Sequence, residues 1–149
     1  MTAFAVKHIV KNRDLLISIL PEVRKQPYSL TNKRKTANSA AAGCDVYVIE
    51  VEYASSGPIY RLGYCYKAYK CDEAPSSKLW TGEFKYKNAA ELGVPAQGFY
   101  FEHTVIITDL NFIDWYKGAK FGMTEIPERH VNVLKQIIAD PANGAHPFT

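Results

Sequence analysis

Apolar residues fall on every second position through four stretches in the middle of the chain. Asp45–Tyr53 sets Tyr47, Ile49, Val51 and Tyr53 against Glu50 and Glu52. Ile59–Lys70 sets Tyr60, Leu62, Tyr64, Tyr66 and Ala68 against Arg61, Cys65 and Lys67. Leu79–Lys87 separates Trp80, Phe84 and Tyr86 from Thr81, Glu83, Lys85 and Lys87. Phe99–Thr108 separates Phe99, Phe101, His103, Val105 and Ile107 from Tyr100, Glu102, Thr104 and Ile106. A period of two belongs to strands with one side on a core. Ala3–Val10 alternates in the same way and predicts a first strand. Ser55-Ser56-Gly57-Pro58 between two alternating runs predicts a hairpin.

Helices are fewer. Asn12 or Asp14 suits the cap of a short helix through Leu15, Leu16, Ile19 and Leu20, which Pro21 interrupts or restarts. Pro127 suits a first helical position, and Val131, Leu134 and Ile138 follow at spacings of three and four before Pro141 and Gly144 stop the helix. Ser29–Gly43 reads as a polar, basic loop. Asp109–Gly122 reads as a short helical or irregular piece rich in aromatics. The order strand, helix, four strands, helix predicts an α+β class: a small curled antiparallel sheet or β-barrel flanked by an N-terminal and a C-terminal helix.

With 149 residues, the chain is expected to form a single domain over 1–149, long enough for its own core. An apolar fraction of 47% argues against disorder. No apolar run approaches the roughly 18–20 residues of a membrane span, so no membrane partner is expected. Three cysteines (Cys44, Cys65 and Cys71) form no CxxC pair, which fits a reducing, cytoplasmic setting. The net charge of +3 is compatible with a polyanionic partner without requiring one. Locally the pattern is sharper, because Lys33, Arg34 and Lys35 sit together in the polar loop with Arg24 and Lys25 upstream. A solvated loop is the plain reading of that cluster, and a phosphate contact the functional one.

No complete catalytic signature is present. The histidines (His8, His103, His130 and His146) are scattered, with no HxH or HExxH spacing, so neither a metal nor any other cofactor is expected. There is no GxSxG elbow and no phosphate-cradling glycine loop. Glu83-Phe84-Lys85 has the acidic–spacer–lysine form of metal-dependent nucleases, with Asp72 or Asp45 as a second carboxylate. The same triplet is also what the wet side of a lysine-rich strand looks like. Ten tyrosines and two tryptophans are generous for this length, and aromatic faces commonly hold flat bases. Trp80, after a turn, and Trp115, in the irregular segment, are the two aromatics least suited to pure core.

Gly43-Cys44-Asp45-Val46-Tyr47-Val48 after a basic loop, the turn Gly57-Pro58-Ile59-Tyr60-Arg61-Leu62-Gly63-Tyr64, and the segments Leu110–Trp115 and Gly122–Pro127 before a closing helix follow an order that resembles the PUA-like superfamily. The EVE, YTH and ASCH branches, which include modified-base readers, are the nearest in form, over roughly residues 29–138. The chain departs from that pattern where Cys44 separates the glycine from the aspartate and where Lys33-Arg34-Lys35 stands in place of a tryptophan. The resemblance implies a nucleic-acid-binding module, for DNA or RNA, with a modified or flipped-out base in an aromatic cage. Trp80 and Trp115, with Tyr64 or Tyr66, would stack on the base, and Asn32 or Asn111 would read its edge. Lys33, Arg34 and Lys35 would contact phosphates. Two alternatives stand beside it: a protein-binding inhibitor or accessory factor of the phage or mobile-element anti-defence type, and a small metal-dependent nuclease using Glu83 and Lys85.

Overall fold

A computed structural model of the chain describes residues 2–10, 16–31, 37, 40–73, 86–119 and 122–148. Nine strands and three helices are described, in the order β1 (Ala3–Ile9), α1 (Leu16–Lys25), β2 (Tyr28–Thr31), β3 (Asp45–Ala54), β4 (Gly57–Lys67), β5 (Lys70–Glu73), β6 (Tyr86–Ala89), β7 (Gly98–Ile106), α2 (Leu110–Lys117), β8 (Thr124–Glu125), α3 (Glu128–Ala139) and β9 (His146–Pro147). The class is α+β. Six strands form one sheet in the order β8-β1-β3-β4-β7-β9, and β2-β6-β5 form a separate three-stranded sheet. The large sheet is open and mixed, because β1 runs parallel to β3 while its other neighbours pair antiparallel. The expectation of a wholly antiparallel sheet or closed barrel is corrected accordingly. A parallel pair needs a crossover connection, and here that connection contains α1 and β2.

Both faces of the large sheet are buried. Ala3, Ala5, Tyr47, Ile49 and Val51 join one core with Phe112 and Tyr116 of α2 and Val131 and Leu134 of α3. The alternate residues Phe4, Val6, Val46 and Val48 join a second core with Leu16 and Val23 of α1 and Tyr28 and Leu30 of β2. Strict alternation therefore separates two apolar environments along β1 and β3, not core from water.

On β4 the alternation changes phase. Ile49 pairs with Leu62 and Val48 with Tyr64, so Gly63 is one residue too many on its strand. Such a bulge flips which side chains point which way. Tyr60 and Leu62 consequently lie in the first core, and Tyr64 and Tyr66 in the second. A glycine serves there because a Cβ would overlap Leu16 Cδ1.

The predicted hairpin is present, with Ala54 paired to Gly57 across Ser55-Ser56. Pro21 does not end α1, which continues through it to Lys25. The closing helix begins at Glu128, where the Pro127 carbonyl accepts the His130 and Val131 amides at 2.9 and 3.1 Å. Asp109 caps α2 by accepting the Phe112 amide at 2.9 Å, so Trp115 lies on a regular helix. No described helix is long and apolar enough to cross a membrane.

Candidate nucleic-acid interface

The small sheet is fastened to the large one by polar groups. The Tyr66 hydroxyl on β4 lies 2.8 Å from Ser29 Oγ on β2, 2.8 Å from Asn88 Oδ1 on β6 and 3.0 Å from the Asn88 carbonyl oxygen. Tyr64 donates its hydroxyl to the Tyr28 carbonyl. Burial pushes the Tyr66 phenol well above its ordinary range, so it stays a donor at any physiological pH. These contacts explain why Ser29, a polar residue in what reads as a loop, lies in a buried strand. Lys87 Nζ lies 5.2 Å from the centre of the Tyr28 ring in the small sheet, and the Arg24 guanidinium of α1 lies 4.9 Å from that of Tyr100 on β7.

Thr31 pairs with Tyr86, and Tyr86 pairs with Glu73 on its other side. One rung of the small sheet is thus the departure point of two segments, 32–36 after Thr31 and 74–85 between Glu73 and Tyr86. Asn32, Lys33, Arg34 and Lys35 belong to the first segment. Trp80, Glu83 and Lys85 belong to the second. All seven lie outside the described residues.

The four described members of the expected cage are not brought together. Tyr64 and Tyr66 are 3% and 0% exposed, with their hydroxyls engaged inside the second core, and they offer no ring face to a base. Asn111 and Trp115 sit on α2, on the opposite face of the large sheet. The Trp115 ring stacks on His130 at 4.8 Å and on Tyr116 at 5.4 Å, with Phe112 edge-on at 5.5 Å. Asn111 is exposed.

A polar cleft of about 400 Å³ that periodicity did not suggest lies over the second face of β3 and β4, lined by Ile17, Glu50, Glu52, Arg61, His103 and Thr104. Glu50 is only 2% exposed. One of its oxygens accepts the Leu16 amide at the described start of α1 at 2.8 Å, and the other accepts the Thr104 hydroxyl at 3.2 Å. Arg61 stands 3.9 Å from Glu50 and 2.7 Å from Glu52. With both oxygens engaged and a guanidinium beside it, Glu50 joins helix to sheet.

Among the described residues, no group of three or more His, Cys, Asp or Glu side chains could hold a metal ion. All three cysteines are free thiols. Burial pushes the Cys65 thiol far above its ordinary range, which leaves it unreactive as a nucleophile.

The chain matches no protein-family model, and no curated protein matches it.

Proposed function

We propose that the protein is a nucleic-acid-binding module whose contact surface is the end of the small sheet from which residues 32–36 and 74–85 depart. The observation that carries this reading is the rung Thr31–Tyr86–Glu73. It gives the Lys33-Arg34-Lys35 triplet and the segment holding Trp80 and Lys85 a common base. Lys33, Arg34 and Lys35 would supply attraction to phosphates that does not depend on sequence, and Trp80 a stacking face. The order of motifs shared with the PUA-like superfamily points the same way, toward recognition of a base without catalysis. Trp80 and Asn32 lie outside the described residues. Tyr64, Tyr66 and Trp115 are assigned to packing.

The test is an anisotropy titration of the full chain with labelled oligonucleotides across a range of salt. Binding should weaken steeply as salt rises. The triple variant Lys33→Ala, Arg34→Ala, Lys35→Ala should flatten the slope of log K against log salt by about 2, at roughly 0.7 per contact on a single strand. Equal slopes for the two proteins, or no binding at low salt, would remove this reading.

A further inference from the structure

A cleft of about 240 Å³ opens where β4 passes into β5, with Gly43, Lys67, Tyr69, Glu91, Pro95 and Gln97 among its walls. We infer that this cleft holds one unpaired nucleobase, stacked on the ring of Tyr69, so that the protein binds single-stranded nucleic acid. The inference rests on the proposed nucleic-acid function and names the strand state and the base-holding residue within it.

Size comes first. Sites that enclose a drug-sized ligand measure roughly 300–1,000 Å³. The cleft is smaller and open to solvent, so it suits one flat ring whose sugar and phosphate stay outside. Its walls offer matching surfaces. Tyr69 is 53% exposed although it is aromatic, and Val94 and Pro95 supply an apolar wall. Glu91 and Gln97 bring an acceptor and an amide to the lining, where a base edge presents donors and acceptors.

Charge decides between a base and any other flat apolar group. Lys67 and Lys70 bracket Tyr69 in sequence, and both are exposed. A stacking ring set among cations is the arrangement that tracks a phosphate backbone while holding its bases. A duplex would keep its bases paired and away from such a ring.

The backbone that carries the ring is held in advance. Tyr69 lies on the two-residue joint Ala68–Tyr69 between β4 and β5, and every amide of that joint is engaged. The Ala68 amide donates to Cys44 at 2.9 Å, and the Tyr69 amide donates to Ala89 at 2.8 Å. On the cleft walls, the Gly43 amide donates to Ala68 at 2.8 Å and the Lys67 amide to Gln97 at 3.0 Å. A ligand therefore need not order the backbone of the cleft.

The experiment uses the full chain and a single-stranded oligonucleotide of about 12 nucleotides carrying 2-aminopurine, whose fluorescence falls when it stacks. Wild type and Tyr69→Phe should quench the probe alike. Tyr69→Leu should abolish the quenching and weaken binding about 5- to 150-fold, the range found for loss of one base–aromatic stack, with the salt slope unchanged. The corresponding duplex should bind more weakly than the single strand. Quenching and affinity in Tyr69→Leu equal to wild type, or a duplex bound as tightly as the single strand, would overturn the inference while leaving salt-dependent binding intact. Failure of every oligonucleotide to bind would overturn the nucleic-acid reading itself.

Discussion

Replacing Tyr66 by phenylalanine removes one buried oxygen and leaves the ring in place, so it isolates the polar join between the two sheets. That oxygen serves Ser29 Oγ, Asn88 Oδ1 and the Asn88 carbonyl at 2.8, 2.8 and 3.0 Å. Its one proton goes to an Asn88 oxygen, which makes the Ser29 hydroxyl the donor toward it. Ser29 and Asn88 are both buried, so water cannot replace what is lost. An orphaned buried group costs about 1–3 kcal/mol. Two groups are affected, but Asn88 has further interactions that survive. The expected cost is therefore about 2–3 kcal/mol, below two full penalties. For a domain of this size that is a fall in Tm of about 4–12 °C. Urea and thermal melts followed by circular dichroism measure it directly. A double-mutant cycle with Ser29→Ala sharpens the test, because removing both partners leaves no orphan on the serine side. The pair should cost about 1 kcal/mol less than the sum of the single variants. Tyr66→Phe within about 0.5 kcal/mol of wild type, or strict additivity in the cycle, would refute the claim that this oxygen joins the sheets.

Gly98 has φ of +133°, and a Cβ there would overlap the Cys65 carbonyl oxygen, so Gly98→Ala should cost at least about 3 kcal/mol and lift β7 from β4. Gly93 has φ of +85° with open space around it, and Gly93→Ala should cost only about 1–2 kcal/mol; equal losses in urea melts would dismiss the close approach as the reason for glycine at 98. His130 is buried and stacked on Trp115, with its Nε2 accepting from Arg129 Nε at 3.3 Å. Burial first, then the Arg129 charge, lowers its pKa, while Asp109 pulls the other way. The unfolded chain then binds the proton more readily, so this contribution is complete above the ordinary histidine value and is lost as pH falls below about 6.5. One proton gives a slope of at most about 1.4 kcal/mol per pH unit, and His130→Gln should flatten the pH dependence of urea stability in that window; an unchanged slope would clear His130 of the effect.

The elements most legible in the sequence were those fixed by local pattern. β1 and β3 follow their alternation, and the last helix follows its spacing of three and four, whereas β7 shifts register against β4 and buries the neighbours Tyr100 and Phe101 while Phe99 is exposed. What escaped depends on partners far along the chain. Alternation along β3 distinguishes its two faces but does not say that Glu50 lies under α1, because the amide that accommodates its carboxylate belongs to Leu16. Ser29 resembles a loop residue until Tyr66 supplies its partner. The Gly63 bulge had a local cue, since an isolated glycine inside an alternating run is where a bulge is expected. Without the bulge the sequence puts Tyr60, Leu62, Tyr64 and Tyr66 on a single side, whereas the fold divides them between two cores. Tyr69 escaped for a related reason. Ile59–Lys70 reads as one continuous strand, whereas β4 ends at Lys67 and Tyr69 lies on the joint beyond it.

The division of the aromatics has a consequence for where recognition is located. The two cores that cover the large sheet bury Tyr47, Tyr60, Tyr64 and Tyr66, so aromatic abundance along β3 and β4 is by itself no guide to binding. Rings at joints and strand ends are different, because there the backbone is held by the sheet while the side chain is not covered. Tyr69 meets both conditions, with its amide bonded to Ala89 and its side chain half in water. If that argument is right, Tyr66→Phe should also weaken oligonucleotide binding without removing any cation, since β6 carries both Ala89 and the departure point of residues 74–85. Undiminished binding by a destabilised Tyr66→Phe would mean that the contact surface does not depend on the join between the sheets.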